Sequence, residues 1–318
     1  MALERHRALD AVAAFLRCPV CAGPVLAGED QVRCARGHSF NIARQGYVSL
    51  TSGRGGPGTG DSAAMVMARE EFLGAGHYRP LAGAIAELAA ALDRGLGPVP
   101  GLVLDLAGGT GYYLGGVLDA LPGRLGACVD LSAPALRRAA RAHPRAAALG
   151  ADAWQPLPLA DGAAALVMSV FGPRNPAEIR RVLAPGGALI VATPGTDHLA
   201  ELRGPLGLIG MDERKTARLA DAYRDYPDAT EHPVRHSLSL GHAAVTDLVA
   251  MGPNARHIGA EVLSERVAAL PDPVTVTVDV EVRGYRDTSI TELSTCTSSG
   301  RSATAPRRPG SASSRPPW

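Results

Sequence analysis

Three cysteines and one histidine near the start of the chain follow the spacing C-x2-C-x12-C-x3-H, which restricts how this segment can fold. They are Cys18, Cys21, Cys34 and His38. A tetrahedral Zn²⁺ needs four such ligands, and two close pairs joined by a hairpin supply them. Disulfides are the alternative, but three cysteines are an odd number and no apolar signal segment precedes them. The spacing predicts a zinc-binding domain over residues 1–45 that depends on metal to fold.

The composition is that of a globular protein with a sizeable core. With 318 residues, the chain has room for one catalytic domain and a small appendage. Hydrophobic residues make up 46% and aromatic residues only 4%, so the core must consist mostly of Ala, Leu and Val. No apolar run is long enough to span a membrane. We therefore expect a soluble cytoplasmic protein without a membrane partner.

The charge of the chain is nearly balanced, but its first 60 residues are modestly basic. The net charge of +1 argues weakly against a nucleic-acid partner. In the zinc domain, arginines that can contact phosphates are Arg17, Arg33, Arg36 and Arg44. Phe40 or Tyr47 could stack on a base beside them, although Phe40 equally suits the core of so small a domain.

Past the zinc domain, the pattern indicates a connector and then an α/β domain. Residues 46–62 are glycine-rich and predict a flexible connector, after which Asp61 or Ser62 can cap a helix over 63–73. The connector and this helix form a predicted unit at 46–75. A second helix is predicted over 79–92. Alternating strands and helices then indicate a parallel sheet covered on both faces, within a domain spanning 76–286.

The last third of the chain is less regular. Residues 199–249 are predicted to be mostly helical, and residues 274–285 alternate with period two, as in a strand that closes the sheet. Residues 287–318, which include Cys296, are rich in Ser, Thr, Pro and Arg and predict a disordered tail. A second cluster of possible metal ligands lacks helix-face spacing and is interpreted as a solvated loop; it comprises Asp225, Asp228, Glu231, His232 and His236.

A glycine-rich turn follows the first predicted strand of the sheet, at 102–107. Gly109 and Gly111 let the backbone bend sharply and approach a ligand closely. A helix is predicted over 112–121 and a second strand over 125–130. That strand ends in Asp130, about 20 positions after the turn, where a carboxylate can bind ribose hydroxyls. Capping of the helix at 134–142 is the alternative role for Asp130, but Ser132 can cap it instead.

The glycine turn fits S-adenosylmethionine (SAM) better than a dinucleotide. The dinucleotide pattern needs a third glycine where Leu114 stands. The D-x-G-x-G-x-G loop of SAM-dependent methyltransferases matches from Asp105 to Gly111, with Ala107 in place of the first glycine. Asp152 lies where such enzymes contact adenine, and residues 182–187 resemble their "LKPGG" turn. The predicted fold is therefore a class I (Rossmann-like) SAM methyltransferase with an N-terminal zinc-binding domain.

Several further motifs are more specific than the fold, and with them residues 16–285 resemble the bacterial 23S ribosomal RNA guanine-N1 methyltransferases, including the self-protection enzymes of macrolide producers. The motifs are Leu16-Arg-Cys-Pro-Val-Cys21, Cys34-Ala-Arg-Gly-His-Ser-Phe-Asn-Ile-Ala43, Gly46-Tyr-Val, Arg69-Glu-Glu-Phe-Leu-Gly-Ala-Gly-His-Tyr-Arg-Pro-Leu81, Gly111-Tyr-Tyr113 and Ala192-Thr-Pro-Gly-Thr-Asp-His-Leu199. The resemblance implies zinc at the four ligands, SAM contacts at Tyr78, Tyr112 and His198, and a homodimer whose clefts hold an RNA hairpin. It also implies resistance to a tylosin-like macrolide.

Methyl transfer to guanine N1 needs in-line positioning and removal of the N1 proton. Arg174 is a candidate to hold guanine O6, with phosphate binding or helix capping as its alternatives. Asp197 or His198 is a candidate to receive the proton, and His198 equally suits cofactor binding. Two other functions stay open: a small-molecule methyltransferase with a structural zinc domain, and a noncatalytic RNA-binding protein.

Overall fold

Residues 7–51, 60–96, 99–208 and 229–286 are described by the computed structural model. Their helices and strands are, in chain order, α1 (Arg7–Val12), β1 (Val25–Ala27), β2 (Gln31–Cys34), β3 (Ser39–Asn41), β4 (Val48–Ser49), α2 (Ala63–Gly74), α3 (Arg79–Leu96), β5 (Leu102–Leu106), α4 (Tyr112–Ala120), β6 (Gly126–Asp130), α5 (Ala133–Ala142), β7 (Ala146–Gly150), β8 (Ala164–Val170), α6 (Pro176–Val182), β9 (Leu183–Pro194), α7 (Ala200–Leu206), β10 (Ala229–Leu240), α8 (His242–Ala250), α9 (Ala260–Ala268) and β11 (Val274–Arg286). Among the helices of these ranges, none combines the length and the hydropathy that a transmembrane span requires.

These strands form two sheets. The small one is antiparallel, in the order β1-β2-β3, and carries the zinc ligands at its ends. The large one has eight strands in the order β10-β11-β9-β8-β5-β6-β7-β4. The pairs from β9 to β4 are parallel, whereas β11 runs antiparallel to both β9 and β10. The predicted α/β architecture is therefore confirmed, with the predicted strand at 274–285 observed as β11 between β9 and β10.

The centre of the large sheet is buried on both faces. Every residue of β5, β7 and β8 is buried, which explains why these segments are continuous apolar runs without alternation. One hydrophobic cluster joins the sheet to α3 and α4 through Ile85 and Leu118. The other joins the opposite face to the zinc domain. The parallel strands therefore end along one protected edge, where the glycine turn lies.

The zinc domain packs directly on the catalytic sheet. Leu16, Val25 and Val32 share one hydrophobic cluster with Leu157 and Leu159. Leu16 also forms a β-bridge to Leu159, and the Arg17 N–H donates to the Pro158 oxygen at 2.9 Å. Because apolar contacts and backbone hydrogen bonds cross this boundary, the two units are held in a defined orientation.

Most predicted elements are confirmed to within a few residues. The helices predicted at 63–73, 79–92, 112–121 and 134–142 are observed as α2, α3, α4 and α5. Ser62 and Ser132 are the N-caps of α2 and α5, each accepting a backbone N–H at 3.2 Å. Both were among the predicted caps, and the preference of serine for this position explains them.

Two predictions of secondary structure are wrong. The helical prediction for 199–249 holds at α7 and α8 but fails at residues 229–240, which form β10, so Glu231, His232 and His236 lie in a strand and not in a solvated loop. The connector at 46–62 contains β4, which pairs with β7 at the edge of the large sheet and buries Val48. Asp225, Asp228 and the predicted tail at 287–318, with Cys296, lie outside the described residues.

The antiparallel pair of β10 and β11 extends beyond the carboxyl edge of the parallel strands. The last pair between β11 and β9 is Val280 with Pro194, whereas β11 begins six residues earlier at Val274. At about 3.4 Å per residue, this strand pair projects roughly 20 Å past the end of β9. It therefore forms a wall on one side of the edge where the site residues lie.

Candidate active site and zinc centre

The four predicted zinc ligands converge on one point. Their ligand atoms all lie within 4.8 Å of one another. Cys34 Sγ and Cys18 Sγ are 3.3 and 3.6 Å from His38 Nδ1, and the Sγ atoms of Cys21 and Cys34 are 3.7 Å apart. Ligands about 2.3 Å from a central ion in a tetrahedron are about 3.7 Å apart. The spacing of these atoms therefore fits a bound zinc ion.

Each ligand pair is held by a tight turn. The Ala22 N–H donates to the Cys18 oxygen at 2.8 Å, and the Gly37 N–H to the Cys34 oxygen at 3.0 Å. Both turns need a positive φ, which is +55° at Ala22 and +85° at Gly37. Although burial acts in the opposite direction, the backbone N–H groups of Arg36 and His38 lower the pKa of Cys34 to about 6. Cys34 is thus poised as the thiolate that metal binding requires.

The glycine turn after β5 wraps around the side chain of Asp105. A Cβ placed on Gly108 would lie 2.5 Å from Asp105 Oδ2 and 2.7 Å from Cys128 Sγ. The φ angles at Ala107, Gly109 and Gly111 are +53°, +59° and +76°. The alanine that departs from the family pattern therefore adopts the left-handed conformation, which costs about 1 kcal/mol relative to glycine. The turn keeps the bend that cofactor binding requires.

Asp105 is buried beneath this turn with one oxygen unpaired. The residue is 1% exposed, and its Oδ2 has no hydrogen-bond partner within the described ranges. Burial raises the pKa of Asp105 to about 8, and the nearby negative charge of Asp130 adds to the shift. An unpaired buried carboxyl oxygen is costly unless a ligand donor satisfies it. This observation fits the predicted role of the turn in binding a cationic cofactor.

We expect Asp105 to make the cofactor-free protein less stable as the pH rises. Its pKa is about 8 in the folded state and 3.8 when unperturbed. Between these values the unfolded chain releases a proton that the folded chain keeps, so the free energy of unfolding falls as pH rises from about 4 to about 8. Asp105→Asn removes this contribution. Urea unfolding at pH 5, 7 and 9 should show the variant gaining stability relative to the wild type at higher pH; parallel profiles would contradict the prediction.

Asp130 and Asp152 lie at the ends of neighbouring strands beside the glycine turn. Asp130 accepts the Gly109 N–H at 2.9 Å and the Ser132 N–H at 2.8 Å. It therefore ties the turn to the end of β6, while Ser132 and not Asp130 caps α5. Asp152 follows β7 and accepts the Trp154 N–H through Oδ1 at 2.9 Å. The roles of Asp130 and Asp152 in binding ribose and adenine stay predictions.

Tyr78 and His198 come together from distant parts of the chain. The Tyr78 hydroxyl is 3.3 Å from His198 Nε2, and the Asp279 N–H donates to His198 Nδ1 at 3.2 Å. A backbone N–H can only donate, so the neutral ring carries its proton on Nε2 and donates it to Tyr78. Burial lowers the pKa of His198 to about 4. His198 is consequently neutral at pH 7, with no free ring nitrogen to accept a proton.

The chain is similar in sequence to known RNA methyltransferases. A family model described as "RlmA, N-terminal", a zinc ribbon, matches residues 16–51. The 23S rRNA (guanine(748)-N(1))-methyltransferase of Streptomyces fradiae is 46% identical over 85% of this chain and 95% of its own length. A Micromonospora griseorubida protein named as a 23S rRNA (guanine-N(1)-)-methyltransferase is 50% identical over 85% and 97%.

The chain belongs to the 23S rRNA (guanine-N1)-methyltransferase family. It is an enzyme with the class I methyltransferase fold that uses SAM and carries a structural zinc ion. The predictions made from the glycine turn and from the spacing of the zinc ligands are thus confirmed. The alternative of a noncatalytic RNA-binding protein is thereby excluded. A Bacillus subtilis protein named in the same way is 32% identical over 59% of this chain and 67% of its own length.

Other predicted site residues of this methyltransferase lie around the same edge. Tyr112 begins α4 directly after the glycine turn and packs edge-on against Tyr113 at 5.1 Å between ring centroids. Arg174 is half-buried in the loop after β8. Asp197 is exposed, and its Oδ2 accepts a hydrogen bond from Arg235 at 2.7 Å. The catalytic roles of Arg174 and Asp197 stay predictions.

Sequence reasoning missed the role of Asp61 and Arg69 at the turn. Arg69 of α2 forms an ion pair with Asp61 at 2.6 Å and donates to the Met251 oxygen at 2.6 Å. A Cβ placed on Gly109 would be 2.9 Å from an Arg69 nitrogen, so this guanidinium lies directly over the turn. Arg69 appeared in the sequence only inside a family motif, and Asp61 only as a possible cap. Only the folded chain places them beside Gly109.

Proposed function

We propose that this enzyme methylates N1 of a guanine in a hairpin loop of 23S rRNA near the macrolide site of the exit tunnel, and that it thereby confers resistance to a tylosin-like macrolide. The observation that carries the proposal is the 46% identity across 95% of a relative named for guanine 748 of 23S rRNA. The likeness to self-protection enzymes of macrolide producers supports the resistance. The enzyme acts in the cytoplasm as a homodimer whose clefts hold the hairpin.

In this proposal the residues of the carboxyl edge position the reaction. SAM supplies an electrophilic methyl group on a sulfonium. Asp105, Tyr78, Tyr112 and the glycine turn bind its methionine end, while Asp130 and Asp152 bind its adenosine end. Because transfer is an in-line displacement, this placement fixes the direction of attack by guanine N1. Since His198 donates to Tyr78 through its protonated nitrogen, its role is to orient Tyr78, which leaves Asp197 as the candidate proton acceptor.

The zinc domain holds the RNA through its arginines. Arg44, together with Arg141 and His143 of the catalytic domain, lines a cleft of about 500 Å³ between the two units. Both arginines are exposed, and neither makes an ion pair with any other described residue. Arg17 and Arg33 instead bond within the zinc domain, to the Leu16 oxygen and to Gln31. The cleft lies at the amino end of β7 and offers two guanidinium groups to phosphates of the hairpin away from its target loop.

We expect the double variant Arg44→Ala/Arg141→Ala to bind the hairpin RNA more weakly without losing the chemical step. Each lost phosphate contact lowers the slope of log Kd against log salt concentration by about 1. The slope should therefore fall by about 2, while kcat at saturating RNA stays near the wild-type value. Arg94→Ala, which removes an exposed arginine on a different face, is the control. An unchanged slope would count against the cleft as an RNA contact.

The proposed function is tested by methylation with labelled SAM. The purified enzyme is incubated with 23S rRNA, with the same RNA carrying adenine at the target position, and with small-molecule acceptors. We expect label only on the RNA that carries guanine at the target position. Reverse transcription of that RNA should stop beside one loop guanine, because N1 methylation blocks pairing. Expression in a macrolide-sensitive bacterium should raise the inhibitory concentration of tylosin. Label confined to small molecules would overturn the proposal.

A further inference from the structure

Phe171 is an exposed aromatic residue at the carboxyl end of β8, where the strand reaches the active-site edge. The seven residues of β8 before it are all buried, whereas Phe171 is 42% exposed. The following residue packs against the glycine turn: a Cβ placed on Gly172 would lie 3.0 Å from the Leu106 oxygen and 3.2 Å from Ala107 Cβ. The backbone next to Phe171 thus lies against the glycine turn.

The backbone of Phe171 is in an unfavourable conformation. Its φ is +54°, in the left-handed region that bulky residues rarely adopt. Strain of this kind persists where the surrounding structure enforces it, and it concentrates at functional sites. The Phe171 N–H donates to the Ala192 oxygen at 3.0 Å, which holds the strained residue against the end of β9. A glycine would adopt this conformation freely, so packing and backbone geometry alone give no reason for an aromatic side chain here.

His198 and Tyr78 support the Phe171 ring on one side. Phe171 stacks on His198 with ring centroids 5.9 Å apart and an interplanar angle of 30°, and Tyr78 lies 6.3 Å away. His198 is itself fixed, because both of its ring nitrogens are engaged, with Tyr78 and with the Asp279 N–H. An aromatic ring that rests on a rigid neighbour and remains partly exposed can stack a further planar group.

The strand order indicates which planar group that is. Asp130 and Asp152, the predicted adenosine contacts, follow β6 and β7, on one side of the glycine turn of β5. Phe171 follows β8, on the opposite side of β5, toward β9 and the projecting β10–β11 pair. The adenine of the cofactor and the ring of Phe171 therefore lie on different sides of the turn. The space next to Phe171 is left for the methyl acceptor.

We propose that Phe171 is the platform on which the target guanine stacks after it has left the RNA helix. This inference rests on the proposed function, because it concerns the same reaction. Stacking on an aromatic ring holds an extruded base in place and compensates for part of the stacking that the base loses in the RNA. It also restricts the base to one plane, which orients its N1 edge toward the cofactor.

The test exploits the strain at this position. In Phe171→Gly the positive φ is relieved, so the melting temperature should stay the same or rise, and SAM affinity measured by calorimetry should not change. The kcat/KM for the hairpin RNA should fall about 10- to 100-fold, as expected for the loss of one base–aromatic stack. Phe171→Tyr and Phe171→Trp should retain most activity, whereas Phe171→Leu, which keeps the apolar bulk but not the ring, should resemble Phe171→Gly.

Val262→Ala is the matched control, because Val262 is an apolar side chain of α9 that is 43% exposed and lies outside the group of rings around Phe171, so its truncation should leave kcat/KM unchanged. Wild-type kcat/KM in Phe171→Gly, or Phe171→Leu as active as Phe171→Tyr, would overturn the inference. So would a loss of SAM affinity in Phe171→Gly, since the ring would then be a cofactor contact. Failure of the wild-type enzyme to methylate the RNA would instead refute the proposed function.

Discussion

Replacing Cys34 with alanine is expected to release the zinc ion and unfold the zinc domain. A structural zinc site contributes about 10 kcal/mol or more to folding in small domains, and three remaining ligands hold the ion much less tightly. The domain has only short strands and a small core of its own, so little else compensates. Because Leu16 and Val25 pack on Leu157 and Leu159, we expect the loss to lower the melting temperature of the whole protein.

The measurement for Cys34→Ala is zinc content by colorimetric chelation, together with thermal unfolding. The wild type should hold one zinc per chain and the alanine variant close to none. His38→Cys provides a matched control, because four cysteines also form a structural zinc site and this variant should keep the metal. Treating the wild type with a strong zinc chelator should remove its zinc and lower its melting temperature, as Cys34→Ala does. An alanine variant that melts like the wild type would show that the metal is not structural.

Gly108→Ala is expected to abolish SAM binding while the zinc domain stays intact. The added Cβ would lie 2.5 Å from Asp105 Oδ2 and 2.7 Å from Cys128 Sγ, closer than real contacts allow. Both neighbours are buried side chains packed beneath the turn, so the turn itself must move. That movement also breaks the hydrogen bond from the Gly109 N–H to Asp130. We expect a loss of more than about 100-fold in SAM affinity and about 1–3 kcal/mol in stability from overpacking.

Gly116→Ala is the control for Gly108→Ala. Gly116 lies within α4, where an added Cβ would meet nothing within 4 Å. Alanine stabilises a helix interior by up to about 1 kcal/mol relative to glycine, so this variant should melt slightly higher and bind SAM normally. Calorimetric titration with SAM distinguishes the two variants directly. Normal SAM affinity in Gly108→Ala would show that the turn tolerates a side chain and would remove it from the cofactor site.

Features set by local sequence were predictable, and those set by distant pairing were not. The spacing of the four zinc ligands identifies their site because the geometry of two turns is local. The central strands were recognisable because they are short apolar runs bounded by turns. In contrast, β10 lies at the edge of the sheet and contains Pro233 and several charged residues. Its alternation of side chains between the two faces becomes recognisable only from its pairing with β11. The burial of the connector at β4 likewise depends on β7.

The active-site residues likewise divide into those that local sequence identified and those that it did not. The glycine turn, Asp105 and Asp130 were identifiable because one strand–turn–helix unit and the next strand place them. Phe171 and Arg69 were not, because exposure, a positive φ and approach to the glycine turn are properties of the folded chain alone. Asp197 was predicted from its place after a strand end. Its exposed partner Arg235 comes from β10, whose position the sequence did not reveal.

The pairing of β4 with β7 has a consequence for biosynthesis. Val48 pairs with Leu149, a residue that the ribosome adds about a hundred positions later. The zinc domain can bind its metal as soon as His38 has left the exit tunnel, but the strand that follows it has only its bridge to Ile42 until Gly150 appears. We therefore expect metal binding to keep the nascent domain folded through an interval in which its contacts with β7 do not yet exist.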